Sequence, residues 1–207
     1  MASTQTARAA KVALRNLTWE GAPVATWANL VTTIRTVAAI VLGFVALVDR
    51  SVLLLAIAYG IYWVGDSLDG NVARWCKQET RLGATFDILS DRACCAILIS
   101  ALAVLQPDLV PALVVYFCQF MVLDSVLSLA FLHWPIVSPN YFYEVDRLTW
   151  LFNWSIPAKS VNTIVIVLAV ASGNLPVALT IACLQLVVKV WSAHRVLRLV
   201  THPDEPT

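Results

Sequence analysis

The sequence predicts an all-α integral membrane protein with six transmembrane helices and both termini in the cytoplasm. Three observations carry that prediction. Of 207 residues, 59% are apolar and only 13% charged, where a soluble domain carries about 25%. With a mean hydropathy of +0.76, too little polar surface exists to cover a water-soluble globule. Six apolar segments, roughly 29–48, 52–74, 82–105, 109–132, 156–172 and 175–198, each approach the ~20 residues that span a bilayer as a helix. Lysine and arginine then set the orientation. Arg8, Lys11, Arg15, Arg74, Lys77, Arg81, Arg147, Arg195 and Arg198 fall on one side, and the opposite loops hold only Arg50.

The segments are punctuated as helices should be. Residues 1–28 form a juxtamembrane stretch with no apolar run before Asn29, so no cleavable signal is expected. Within it, Ala7 to Trp19 reads as a short surface helix presenting Val12, Leu14, Leu17 and Trp19. Asp49-Arg50, Lys77 to Arg81, Gln106-Pro107-Asp108 and Gly173-Asn174 mark the turns. The one long connection, 133–155, carries Trp134, Tyr141, Tyr143, Trp150 and Trp154, which reads as an aromatic belt at the cytoplasmic interface. A single domain over 29–198 and a polar tail over 199–207 complete the division. The five cysteines have no metal-ligand spacing and read as small packing residues.

Charged residues inside the apolar segments are the informative ones. Asp66, Asp69, Gly70 and Ala73 fall at i, i+3, i+4 and i+7, one face of the second helix. Gly83, Asp87 and Asp91 fall at i, i+4 and i+8, one face of the third. The short connection 75–81 makes the two helices antiparallel neighbours, so two carboxylates from each can converge just inside the cytoplasmic leaflet. Such a cluster is costly in a membrane unless paired or bound to cations. Oxygen donors without His or Cys suit Mg²⁺ or Mn²⁺, and Ca²⁺ less specifically. Two cations at a carboxylate cluster are a device of phosphoryl chemistry. Gly70 and Gly83 leave room for a bulky ligand near the backbone, and Arg74 is placed to meet a phosphate.

The arrangement Asp66-x2-Asp69-Gly70-x2-Ala73-Arg74-x8-Gly83-x3-Asp87-x3-Asp91 resembles, at all eight fixed positions over 26 residues, the signature of the CDP-alcohol phosphatidyltransferases. Asn29-x2-Thr32-x2-Arg35 is similar to the family's looser first-helix pattern. The resemblance implies that Asp66, Asp69, Asp87 and Asp91 hold metal, with Asp91 also the general base. It implies that Asn29, Thr32, Arg35, Gly70, Ala73, Arg74 and Gly83 shape the site of the CDP-lipid. The implied reaction is transfer of a phosphatidyl group from CDP-diacylglycerol to an alcohol with release of CMP, in phospholipid biosynthesis. The implied setting is a homodimer with two Mg²⁺ or Mn²⁺ ions per site in a bacterial-type plasma membrane, the site facing the cytoplasm, with no nucleic-acid partner.

The acceptor is less marked. Ala158-Lys159-x3-Thr163 resembles a degraded form of the Gly-Lys-x-Lys-Thr segment of members that use glycerol 3-phosphate, with Ala158 and Asn162 as departures. The expectation is glycerol 3-phosphate, with Lys159 on its phosphate. Inositol phosphate, phosphatidylglycerol and serine stand as alternatives. Helix-end snorkelling competes as an explanation of Lys159 and Arg35 and is the expectation for Lys189. Arg92 is read as a structural pair or dimer contact, and Asp124 as an intramembrane acid with no obvious partner. A divalent-cation transporter is the rival class, and it requires acidic groups continuing toward the outer leaflet.

Overall fold

The computed structural model describes residues 17–19 and 21–202, and for residues 161, 163–166 and 168–170 the backbone alone. Most of the expected surface helix at 7–19, with Arg8, Lys11 and Arg15, lies outside the described residues.

Helix α1 (Trp27–Val48) begins where the Thr26 hydroxyl accepts the Asn29 backbone N–H at 3.1 Å. Helix α2 (Val52–Trp75) is capped in the same way by Ser51, and α3 (Arg81–Leu105) by Thr80. Arg50 and Lys77 take positive φ in the two turns between them. These turns keep the three helices antiparallel, with α1 packed along both α2 and α3. Ala39, Ala46, Ala58 and Ala101 are completely buried. Small residues let helix backbones approach closely where lipid gives no hydrophobic drive for association. The outward faces carry Val37, Val41 and Phe44 on α1 and Leu53, Ile57 and Val64 on α2, all exposed, a surface suited to lipid.

The fourth span, α4 (Pro107–His133), is not one regular helix. A π-helical stretch covers Gln119–Asp124, and its last two turns split into α and 3₁₀ pieces. The connection that follows is folded, with a 3₁₀ turn at Pro139–Glu144 and a short helix α5 (Arg147–Asn153). Its aromatic residues therefore do more than line an interface. Phe142 is completely buried and Trp154 nearly so, in a core with Leu127, Phe131 and Val196. For Trp154 the interfacial reading is corrected: its ring packs on Phe142 with centroids 4.8 Å apart.

Helix α6 (Ile156–Ala171) and helix α7 (Leu175–Thr201) complete the bundle, with α7 packed along α4. Among the described residues, five helices are long and apolar enough to cross a membrane. The expected sixth span, 156–172, folds as a helix of 16 residues. At 1.5 Å per residue that is about 24 Å, short of the ~30 Å hydrocarbon layer. No strand occurs among the described residues. The cysteines are free, and the packing reading holds for the buried Cys94 and Cys95 but not for Cys76, Cys118 and Cys183, which are exposed.

Candidate active site

The four aspartates converge as their spacing requires, and the group at their centre is Arg35 of α1. Its Nε donates to Asp69 Oδ2 at 2.7 Å. Its second terminal nitrogen reaches Asp87, Asp91 at 3.0 Å and Asp66 at 3.6 Å. Arg35 is only 3% exposed, so it does not snorkel to the interface. The Thr32 hydroxyl, one turn away on α1, donates to the same Asp69 oxygen at 2.8 Å. The Tyr62 ring lies under the guanidinium, 5.6 Å to its centroid.

Sequence reasoning missed the residue that makes this centre possible. A Cβ on Gly65 would fall 2.5 Å from Arg35 Cβ and 2.6 Å from its Cδ. Glycine there lets the Arg35 stem lie directly against the α2 backbone. The available signal was a glycine beside Asp66 in an otherwise apolar helix.

One oxygen from each of Asp66, Asp69 and Asp87 can be chosen within 4.8 Å of the others, a spacing that one cation can bridge. Asp91 joins through Arg35. The Asp69 side chain is 3% exposed, whereas those of Asp66 and Asp87 are 41% and 35% exposed, so the cluster has a buried back and an approachable front. Four carboxyl groups share one guanidinium, an excess of acidic over basic groups. The all-oxygen donor set and that excess fit a hard divalent cation.

In front of the cluster is a cleft lined by Asn29, Thr32, Asp69, Gly70, Ala73, Arg74, Gly83 and Asp87, together with Ser138 and Asn140. Gly70 opens toward the Arg74 guanidinium, 3.6 Å from where a Cβ would stand. Arg74 itself donates to Asn71 Oδ1 at 2.9 Å. Gly83 is tighter, since its Cβ would be 3.1 Å from Asn29 Oδ1 and from Thr80 Oγ1. Lys159 stands outside the carboxylate cluster and donates to Asn140 Oδ1 at 2.7 Å, on the far wall of the cleft.

A family model for CDP-alcohol phosphatidyltransferases matches residues 25–191. The chain belongs to the CDP-alcohol phosphatidyltransferase family. Searches of curated proteins and of solved structures find no match. Members of the family are enzymes that transfer a phosphatidyl group from a CDP-alcohol.

Two expectations change within this phosphatidyltransferase. Asp124 has partners: Arg92 donates to its Oδ2 at 2.6 Å and Lys189 to its Oδ1. Lys189 is 8% exposed and also donates to Asn153 Oδ1 at 2.9 Å, so it is buried rather than snorkelling. The sequence hid these pairs because they join residues 32 and 65 positions apart.

Proposed function

We propose that the protein transfers the phosphatidyl group of CDP-diacylglycerol to the hydroxyl of glycerol 3-phosphate in a metal-dependent reaction, releasing CMP. The observation that carries this reading is the convergence of two carboxylates from α2 and two from α3 around the buried Arg35, with Asp69 and Asp87 of that cluster lining a cleft beside Gly70 and Gly83.

Asp66, Asp69 and Asp87 are assigned as holders of Mg²⁺ or Mn²⁺, with Asp91 beside them. When bound, the cations neutralise the donor's diphosphate and stabilise charge on the attacking and leaving oxygens. Asp91 accepts the proton of the acceptor hydroxyl. The acceptor oxygen forms a bond to the β-phosphorus, the bond from that phosphorus to the CMP oxygen breaks, and CMP leaves. Arg35 Nη1 is buried and makes no hydrogen bond, which leaves a charged donor for a phosphate oxygen. Thr32 and Arg35 together hold Asp69 in place. Gly70 and Gly83 admit the nucleotide diphosphate, and Arg74 offers a cation at the cleft.

Glycerol 3-phosphate is favoured because Lys159 is bonded to Asn140 of the cleft wall, from where its ammonium group would meet an acceptor phosphate. The positive-inside pattern supports a cytoplasmic site.

The test follows CMP release from CDP-diacylglycerol with Mg²⁺ or Mn²⁺ and separate acceptors: glycerol 3-phosphate, inositol phosphate, serine and phosphatidylglycerol. Glycerol 3-phosphate should support turnover. Asp91→Asn should lower it by at least about 100-fold, the usual contribution of a general base, with melting unchanged. Chelation should abolish it. In sealed inside-out vesicles the acceptor should be used without permeabilisation. Turnover with another acceptor alone removes the Lys159 assignment, and full activity in Asp91→Asn removes the base.

A further inference from the structure

The nucleotide cleft has a third wall that the helical signature does not supply. It comes from the connection after α4, through Val137, Ser138 and Asn140. This wall is tied down from several directions. Arg81 donates to the carbonyls of Trp134 and Ile136, and the Tyr141 hydroxyl to Glu79 Oε2 at 2.9 Å. The Trp150 indole donates to the Asn140 carbonyl at 2.9 Å.

Two polar groups on the wall have capacity to spare. Ser138 is 8% exposed, and its hydroxyl oxygen is buried with no hydrogen-bond partner. An unpaired buried hydroxyl costs about 1–3 kcal/mol by mutational measures, and proteins seldom keep one without a use for it. A serine hydroxyl has three staggered positions, so rotation about χ1 can present it to a ligand in the adjoining cleft. Asn140 is oriented by Lys159: its Oδ1 accepts the ammonium group, which leaves the NH₂ as a donor.

We propose that Ser138 and Asn140 form a nucleoside-recognition wall, donating hydrogen bonds to the ribose and pyrimidine oxygens of the CDP-linked donor. The inference rests on the transferase reading above. The anionic diphosphate belongs with the cations at the carboxylate end. A hydroxyl and a carboxamide are uncharged and match the uncharged nucleoside. The wall thus holds the nucleoside, and the aspartates act on its phosphates.

The test measures CMP binding to the full-length protein in detergent with Mg²⁺ by calorimetry, with inorganic pyrophosphate as a second probe. Ser138→Ala should weaken CMP about five- to tenfold, the loss of one hydrogen bond, and leave pyrophosphate unchanged, while the melting temperature of the free protein holds or rises because an unpaired buried hydroxyl is gone. Ser138→Thr, which keeps the hydroxyl, should bind CMP as the wild type does. Unchanged CMP affinity in Ser138→Ala overturns the inference and leaves the transferase reading standing. Equal weakening of pyrophosphate places the contact on phosphate and also overturns it. If Ser138→Ala folds poorly, a Ser138→Thr protein that binds CMP just as weakly overturns it too. A wild-type protein that binds no CMP brings down the transferase reading and this inference together.

Discussion

Arg35 shows how one residue decides the character of the site. Four carboxylates within reach of each other repel, and a buried guanidinium holds them in one place. Its position depends on the missing side chain of Gly65. Gly65→Ala would put a methyl group 2.5 Å from Arg35 Cβ, an atom near the backbone that cannot swing aside. The expected outcome is a loss of about 1–3 kcal/mol in stability from overpacking, with donor turnover reduced at least about tenfold as Arg35 shifts. Gly60 lies earlier on the same helix with open space at its Cβ position. Gly60→Ala should therefore stay within about 1 kcal/mol of wild type, since only helix propensity changes. Thermal unfolding in detergent and CMP release check both. Equal behaviour of the two variants would show that Gly65 has no special packing role.

At the scale of elements, the connection between α4 and α6 matters most. Asp146 caps α5, accepting the Thr149 backbone N–H at 3.1 Å, and receives two hydrogen bonds from Arg195 of α7 at 2.7 and 3.1 Å. It thereby fastens the cleft-forming connection to the bundle. Burial pushes the Asp146 carboxyl up, but the hydrogen bonds from Arg195 and Thr149 outweigh burial and hold it below the usual carboxylate range. A depressed folded value means that the stabilisation is fully present above the unfolded value of about 3.9. It is lost as pH falls through the folded value. Asp146→Asn keeps a capping oxygen and removes the charge. At pH 7 it should cost about 1.5–3 kcal/mol, the range for hydrogen bonds to a charged group. The gap to wild type should shrink as the pH drops below about 4. Unfolding midpoints across pH 3–8 test this, and a gap independent of pH would contradict it.

At the scale of the whole molecule, a second polar centre joins what the first does not reach. Arg92 of α3, Asp124 of α4, Lys189 of α7 and Asn153 of α5 form one connected network inside the bundle. Asp124 is the one acid among the described residues of this network, so Asp124→Ala leaves Arg92 and Lys189 buried without their ion-pair partner. The expected loss is about 3–5 kcal/mol, as for breaking a buried pair. Lys189→Met added to Asp124→Ala should recover part of it by removing one stranded cation. Detergent melting curves decide, and a double variant worse than the sum of the singles would refute the network. The sequence by itself determined the membrane class, the helix boundaries to within a few residues and the aspartate faces. Those rest on composition and on i, i+3 and i+4 spacing, which are local. The eight-position signature made the carboxylate cluster legible in the same way. Only the tertiary structure decided that Arg35 occupies the centre, that Gly65 makes room for it, that Asp124 is paired, that Trp154 is core and that Ser138 borders the cleft. Each of these depends on contacts between residues tens of positions apart, and such contacts leave no periodic trace in a single chain.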